Sequence, residues 1–187
     1  MKKDLLLVVD MQNVYASGGT WCCPKTELAA HNIRKLLDSQ KAEHSMDVIF
    51  TQFIASENPK GAWVDYNVEC EAVNADTYAN EMMDIFAEDL KKYPLYTKSV
   101  YSSLAIPQVA EAVENAHRVV LTGVVAECCI ISTAMALMDA GAHIIYLTDA
   151  CAGLSQASED AVEMILAGLE PLHVMRMTTE EYLRKEK

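Results

Sequence analysis

Residues 121–133 read LTGVVAECCIIST, an apolar run that breaks at Gly123 and continues through a cysteine-bearing turn into a segment with helical spacing. A strand that ends in a tight turn and feeds the N-terminus of a helix presents backbone N–H groups and the positive end of the helix dipole. Both features favour a thiolate and an oxyanion formed beside it. The stretch therefore predicts a nucleophilic cysteine at the end of a strand.

Short apolar runs alternate with helical patterns on both sides of this turn. The runs that we interpret as strands are 5–9, 47–53, 95–97, 118–123, 143–148 and 172–177, and the helical patterns are 27–41, 129–140 and 158–168. This βαβ rhythm predicts an α/β fold with three layers, in which helices cover both faces of a mostly parallel, Rossmann-like sheet of about six strands.

Residues 57–93 depart from that rhythm. They contain an NPKG segment, the aromatic residues Trp63 and Tyr66, and an acidic helical pattern around residues 81–90. Long irregular segments within compact domains are often binding loops or lids, and plain surface connections are an equally good interpretation here. The tail, residues 179–187, is interpreted as a solvated terminal turn.

Length, charge and cysteine content limit the class of protein. A chain of 187 residues, 51% of them hydrophobic, is expected to form a single domain over residues 1–187 with a sizeable core. The net charge of −12 argues against nucleic acid or an anionic membrane surface as a partner. The apolar run near the N-terminus is too short for a signal sequence or a membrane span, which predicts a cytoplasmic location. Without a CxxC spacing, the six cysteines are expected to be reduced thiols.

Three residues of different chemistry follow predicted strands. Asp10, Lys98 and Cys129 each stand at the carboxyl end of a strand, where open α/β sheets bind their ligands. Singly, such residues are more often a helix cap, a solvated charge and a core side chain. Together they provide a base, a cation that orders the base, and a nucleophile.

Aromatic residues near these strand ends are candidate pocket walls for a flat or apolar small molecule. The candidate substrate-binding residues are Gln12, Phe53, Trp63, Tyr66 and Tyr101. Buried aromatic residues are also ordinary core residues, and a glutamine just past a strand is equally placed to cap the next turn. Both alternatives stay open at this point.

Four segments carry a resemblance to a known family: VVDMQ at 8–12, TKSVYSSL at 97–104, TGVVAECC at 122–129 and LTDACA at 147–152. In this order they resemble the isochorismatase-like cysteine hydrolases, which include nicotinamidases and N-carbamoylsarcosine amidase. The resemblance implies that Asp10 is the base, Lys98 its partner and Cys129 the nucleophile. It also implies a cis peptide bond between Val124 and Val125, an oxyanion hole made by the N–H groups of Val125 and Cys129, and assembly as a homodimer or homotetramer.

One segment departs from the nicotinamidase pattern. Nicotinamidases carry an Asp-x-His metal cluster after the second strand, whereas residues 51–55 read TQFIA here. The histidines, at positions 31, 44, 117, 143 and 173, show no ligand spacing. We therefore expect no metal and no other cofactor, and we do not expect nicotinamide as the substrate.

The thiol narrows the predicted reaction. Isochorismatase itself cleaves a vinyl ether and lacks the cysteine, so the presence of Cys129 favours covalent acyl transfer. The sequence thus predicts hydrolysis of a C–N bond in a small amide, ureide or related molecule through a thioester. The alternative is an oligomeric protein that keeps this fold but is catalytically inactive or senses redox state through Cys128 and Cys129.

Overall fold

The computed structural model of the chain describes residues 2–43 and 46–185. Within these residues the strands are β1 (Asp4–Val9), β2 (Met46–Phe53), β3 (Leu95–Lys98), β4 (Val119–Val124), β5 (Ile144–Ala152) and β6 (Val174–Met177). They form one sheet in the order β3-β2-β1-β4-β5-β6, and every neighbouring pair is parallel. The predicted α/β fold with a Rossmann-like parallel sheet is confirmed. The direction of winding reverses between β1 and β4, where such sheets open a crevice for ligands.

Helices cover both faces of this sheet. They are α1 (Thr26–Glu43), α2 (Ala62–Glu69), α3 (Glu71–Ala75), α4 (Thr77–Asn80), α5 (Pro107–Asn115), α6 (Ile131–Asp139), α7 (Gln156–Ala167) and α8 (Thr179–Lys185). Buried residues of α1 and α8 belong to the core on one face, and those of α5, α6 and α7 to the core on the other. Helix α5, which the sequence analysis did not predict, begins with Pro107 in its first turn and buries Val109 and Val113 one turn apart.

The side chains of β1 explain how one strand serves two cores. Leu6 and Val8 pack into the core that contains α1, whereas Leu5, Leu7 and Val9 pack into the opposite core. All of them are at most 1% exposed, as expected for a central strand of a parallel sheet that is covered on both faces. This uninterrupted apolar run fixes β1 in the middle of the sheet, so the residue that follows it lies at the crevice.

The segment after β2 differs from its prediction. Its helices are α2 to α4, between residues 62 and 80, and the predicted helix over residues 81–90 is wrong. Those residues form turns and one short 3-10 helix, Asp84–Phe86, because the fully buried Phe86 ring packs 5.7 Å from the ring of Phe50 in the sheet. This contact holds the segment around Phe86 against the sheet.

The tail is also more ordered than predicted. Residues 179–185 form α8, and the remaining two residues of the predicted turn lie outside the described residues. Tyr182 is 3% exposed and its hydroxyl donates to Asp4 at 2.8 Å, while the Thr179 hydroxyl donates to Asp149 at 2.8 Å. These bonds attach α8 to β1 and β5. In the part of the chain that the structure describes, none of the helices is both long and apolar enough to cross a bilayer.

Candidate active site

The structure brings the three predicted strand-end residues together. Asp10 follows β1 directly, Lys98 is the last residue of β3, and Cys129 lies in the turn after β4. The Lys98 Nζ atom is 2.5 Å from Asp10 Oδ2 and 3.2 Å from Cys129 Sγ. All three side chains are buried, with at most 4% of each residue exposed. One ammonium group thus contacts both a carboxylate and a thiol at the crevice of the sheet.

The path of the chain from β4 to Cys129 depends on Gly123. Its φ is +113°, and a Cβ atom there would lie 2.0 Å from the carbonyl oxygen of Val9. Only glycine permits this close approach of β4 to β1. Beyond it the Val124–Val125 peptide bond is cis, as the resemblance implied, and residues 126–130 form a single π-helical turn before α6 begins. This turn is what places Cys129 over the end of β1.

Asp10 is fixed by contacts on both carboxylate oxygens. The Thr51 hydroxyl donates to Oδ1 at 2.8 Å, and Lys98 donates to Oδ2. Asp10 itself has a φ of +52°, a left-handed conformation that aspartate tolerates better than most residues. The sequence analysis missed Thr51, although its register opposite Val9 in β2 places it beside the residue that follows β1.

Lys98 uses all three of its ammonium protons within the site. Besides Asp10 and Cys129, its Nζ atom donates to the carbonyl oxygen of Val100 at 3.3 Å, and it lies 5.5 Å from the centre of the Phe53 ring. Burial lowers the pKa of Lys98, but Asp10 and Cys129 raise it more, so the net shift is upward. The side chain therefore remains an ammonium group with no donor to spare.

The Cys129 thiol is held in its neutral form. Burial is the largest cause that raises its pKa, Asp10 raises it further, and Lys98 only partly opposes them. Burial and Asp10 together thus shift the thiol pKa in the direction opposite to the one that the Lys98 ammonium favours. A base must take the proton when the sulfur reacts, and Asp10 is the carboxylate that shares the Lys98 ammonium group with the thiol.

The backbone around Cys129 is folded around one carbonyl group. The carbonyl oxygen of Val125 accepts from the N–H groups of Cys128 at 3.0 Å and Ile130 at 3.1 Å. Val125 lines the cavity above the thiol. The two N–H groups predicted to form an oxyanion hole, on Val125 and Cys129, thus belong to the same short turn as the thiol.

A cavity of about 200 Å³ opens above this turn. Of the predicted substrate-binding residues, Phe53, Tyr66 and Tyr101 line it. The sequence analysis missed four further lining residues, which are Tyr15, Trp21, Cys70 and Leu154. Tyr15 and Trp21 lie in the segment after β1. Apart from its aromatic residues, the sequence of this segment contains no motif that would indicate a binding role. Cys128 also lines the cavity, so the neighbour of Cys129 faces the same space.

Trp63 lies behind the aromatic wall. Its ring centroid is 6.1 Å from that of Phe53, 5.2 Å from Tyr66 and 5.0 Å from Tyr101. The last two pairs are packed edge to face, a favourable geometry for aromatic rings. Trp63 therefore holds the wall in place through its neighbours.

Gln12, a predicted substrate-binding residue, lies buried beside the wall with its side-chain amide bonded to the backbone. Its amide nitrogen donates to the carbonyl oxygens of Phe53 and Asn80, and its amide oxygen accepts from the N–H of Phe53 at 2.9 Å. The residue is 1% exposed. With its amide committed to the backbone, Gln12 ties the end of β2 to the end of α4.

The residues present do not fit a metal ion. Over residues 2–43 and 46–185, no three His, Cys, Asp or Glu side chains are placed to hold one, and His44 lies outside the described residues. Phe53, in the segment where nicotinamidases carry metal ligands, turns its ring toward Lys98. The six cysteines are all free thiols.

The Isochorismatase domain matches residues 4–181 of the chain. Isochorismatase domain-containing protein 2 of Xenopus laevis is 29% identical over 158 residues, which cover 83% of this chain and 63% of that protein. The chain thus spans less than two thirds of the length of this relative.

Two solved structures share the fold. A cysteine hydrolase from Pseudomonas syringae pv. phaseolicola 1448A has a TM-score of 0.81 at 21% identity, covering 97% of this chain and 91% of its own. The MAR1 ribonuclease from Caenorhabditis elegans has a TM-score of 0.72 at 18% identity, covering 96% and 78%. At such identities the likeness concerns the fold. The domain match extends over almost the whole chain, and the chain belongs to the isochorismatase domain family.

Proposed function

We propose that this protein is a cysteine-dependent hydrolase that cleaves a C–N bond in a small amide, ureide or related molecule. Its family supports a hydrolase in the broader sense. The observation that carries the narrower proposal is the contact of Lys98 Nζ with both Asp10 Oδ2 and Cys129 Sγ at the floor of a cavity. This set provides a nucleophile, a base and a fixed positive charge.

The first half-reaction forms a thioester. Asp10 takes the proton from Cys129 as the sulfur attacks the substrate carbonyl carbon, and the carbonyl electron pair moves onto oxygen. The N–H groups of Val125 and Cys129 stabilise that oxyanion, and each such donor is worth about 3 kcal/mol in well-characterised oxyanion holes. The C–N bond then breaks as Asp10 returns the proton to the leaving nitrogen.

The second half-reaction regenerates the thiol. Asp10 takes a proton from a water molecule that attacks the thioester, the tetrahedral adduct collapses, and the C–S bond breaks. The proton held by Asp10 returns to the Cys129 sulfur, and the acid product leaves. Lys98 keeps one positive charge beside the carboxylate throughout, so negative charge can move between oxygen and sulfur within contact of an ammonium group.

The likeness to a ribonuclease does not lead us to propose RNA as the substrate. The net charge of −12 opposes binding of a phosphate backbone. The thiol is 3% exposed and lies beneath a cavity of about 200 Å³, which suits a small molecule. We therefore keep a small-molecule substrate as the proposal, and assembly as a homodimer or homotetramer as a prediction.

Redox sensing is the second candidate, because Cys70 and Cys128 line the same cavity as Cys129. Oxidation by peroxide follows thiolate character, and burial is the main cause that raises the pKa of both Cys128 and Cys129. The neutral state of these thiols favours hydrolysis, in which a base acts only during attack.

The proposal is tested by ammonia release from a panel of small primary amides and ureas, using wild-type protein, Cys129→Ala and the control Cys22→Ser. Cys22 does not line the cavity, and its backbone N–H donates to the carbonyl oxygen of Gly19, away from the three site residues. We expect turnover by the wild type and the control, and loss of turnover in Cys129→Ala. Equal rates of ammonia release by Cys129→Ala and the wild type would contradict the assignment of Cys129 as the nucleophile. Reversible oxidation of Cys129 by peroxide, in a protein that releases no ammonia from any substrate of the panel, would favour redox sensing.

A further inference from the structure

The cavity above Cys129 has a wall without ionised side chains. Besides Val125 and the cysteines, its lining consists of the aromatic residues Tyr15, Trp21, Phe53, Tyr66 and Tyr101 and of Leu154, which is 46% exposed. Among the described residues that line it, none is an aspartate, glutamate, lysine or arginine. A charged group on a substrate would thus be surrounded by rings, a leucine side chain and thiols.

The two charges at the floor of the cavity are already neutralised by each other. Lys98 donates to Asp10, Cys129 and the Val100 carbonyl, which uses all of its ammonium protons. Asp10 accepts from Thr51 on one oxygen and from Lys98 on the other. Among the described residues at the floor and in the lining of the cavity, a substrate carboxylate would therefore meet no free cation, and a substrate ammonium would meet no free carboxylate. Burying an ion without such a partner is costly.

The tyrosine hydroxyls add polar groups to the wall, but they add no charge. Burial is the main cause that raises the pKa of Tyr15, Tyr66 and Tyr101, so each stays a neutral phenol across the range in which enzymes work. A neutral phenol donates or accepts one hydrogen bond, which suits an amide or a ring heteroatom. It offers no counter-ion.

Ring geometry and volume limit the shape of the occupant. Phe53 and Tyr66 both line the cavity and pack edge to face with centroids 5.9 Å apart, so the wall is built from aromatic rings in contact. The cavity of about 200 Å³ lies below the common range of roughly 300–1,000 Å³ for small-molecule sites. Flat groups of about the size of one ring match both features.

We propose that the substrate of this site carries an uncharged, flat acyl group, and that amides or ureides with an ionised group on the acyl side are rejected. That the selected molecule is a substrate rests on the proposed hydrolase function. The selectivity between charged and uncharged ligands depends only on the cavity. Wall residues of this kind are specificity-determining, because they exclude charge by leaving it without a partner.

Binding to Cys129→Ala separates this inference from turnover. The chain has two tryptophans, of which Trp21 lines the cavity and Trp63 packs behind it, so intrinsic fluorescence reports occupancy. Benzamide is compared with its para-carboxylate and its para-aminomethyl derivative at neutral pH. We expect the two charged ligands to bind at least about tenfold more weakly than benzamide. Equal or tighter binding of either charged ligand, or no binding of benzamide, would overturn the inference.

A gain-of-function variant provides the second readout. Leu154 lines the cavity and is 46% exposed, so Leu154→Lys adds an ammonium group with access to solvent, and Leu154→Met is its uncharged control. Both variants are made in the Cys129→Ala background, and the quantity compared is the affinity for the para-carboxylate divided by the affinity for benzamide. We expect Leu154→Lys to raise this ratio and Leu154→Met to leave it unchanged. An unchanged ratio in both variants would contradict the cause assigned to the selectivity. Selective binding without hydrolysis by the wild type would contradict only the proposed function.

Discussion

Cys129 has a neutral thiol although an ammonium group lies 3.2 Å from its sulfur. Burial is the main cause, because it removes the water that would stabilise a thiolate, and Asp10, which also binds the Lys98 ammonium group, raises the pKa of the thiol further. In the proposed mechanism Asp10 has two roles: it raises the pKa of the thiol, and it accepts the thiol proton. Replacing Asp10 is therefore expected to lower the thiol pKa and also to remove the base.

Asp10→Asn separates these two roles. Asparagine also tolerates the φ of +52°, so the backbone is kept, whereas the negative charge that raises the pKa of Cys129 is removed. We expect the thiol pKa to fall and kcat/KM to drop by a factor of about 10²–10⁴, the usual contribution of general-base catalysis. Thiolate absorbance against pH, with Cys129→Ser as the blank, measures the first effect. A thiol pKa that rises in Asp10→Asn would contradict this account.

Lys98→Met removes the one charge that lowers the pKa of Cys129 and leaves Asp10 buried without its partner. We expect a higher thiol pKa, loss of activity and a loss of unfolding free energy of about 3–5 kcal/mol, as for other broken buried ion pairs. Urea denaturation measures the stability. The double variant with Asp10→Asn is the control, because it removes both charges and should recover part of the stability without recovering activity.

Thr51→Val tests the hydrogen bond on the other carboxylate oxygen. Valine has nearly the same shape but no hydroxyl, and a hydrogen bond to a charged group contributes about 1.5–3 kcal/mol. We expect kcat/KM to fall by about tenfold or more, with KM little changed, since Thr51 contacts Asp10 and does not line the cavity. Thr51→Ser should restore the rate. A loss that serine does not restore would indicate a packing effect.

The site residues that could be predicted from the sequence are those that stand at the end of a strand. Asp10, Lys98 and Cys129 could be found because the carboxyl ends of parallel strands meet at one edge. Thr51 and Tyr15 could not, because the role of Thr51 depends on the exact register of β2 against β1 and that of Tyr15 on how the loop after β1 folds back. The protonation state of Cys129 was also beyond the sequence, since it is set by burial and by a lysine that is 31 positions away.

At the scale of elements, the turn between β4 and α6 depends on the close approach of two strands. Gly123 in β4 leaves no room for a side chain against Val9, and the β4–β5 register shifts at the same point. The elements that were predicted correctly, such as β1 and α7, carry their periodicity in their own sequence. Residues 81–90 and the tail were predicted wrongly because distant contacts, Phe86 with Phe50 and Tyr182 with Asp4, decide their structure.

Gly123→Ala is expected to be strongly destabilising. The new Cβ would lie 2.0 Å from the Val9 carbonyl oxygen, and a φ of +113° is itself strained for alanine, so we expect a loss of about 3 kcal/mol or more. Gly141→Ala is the matched control, because its φ is also positive, at +78°, but no atom lies within 4 Å of its added Cβ. It should cost about 1 kcal/mol. Urea midpoints measure both, and equal losses would contradict the steric cause.

At the scale of the whole molecule, net charge and cavity size are the features from which we infer the class of ligand. The net charge of −12 opposes the binding of phosphate backbones, and the largely apolar lining of the cavity above Cys129 leads us to expect a small uncharged molecule. The parallel sheet in the order β3-β2-β1-β4-β5-β6 was predictable from the βαβ rhythm. The identity of the wall was not, because it is assembled from segments between residues 15 and 154 that only the fold brings together.

The net charge of −12 leads us to expect no binding of single-stranded RNA. Fluorescence anisotropy of a labelled oligoribonucleotide at low salt is the most permissive measurement, since electrostatic attraction is strongest there. We expect no change in anisotropy at micromolar protein and no cleavage of the oligonucleotide. Salt-sensitive binding together with cleavage that requires Cys129 would instead support a ribonuclease.

The central claim is that Cys129 forms a thioester with the acyl part of a small amide. The most direct measurement is intact-protein mass spectrometry after rapid acid quenching of a reaction with an amide that the protein hydrolyses, followed by peptide mapping. We predict an adduct with the mass of the acyl group on the peptide that contains Cys129, removed by hydroxylamine and absent from Cys129→Ala. Turnover without any adduct, and with full activity in Cys129→Ala, would contradict the account.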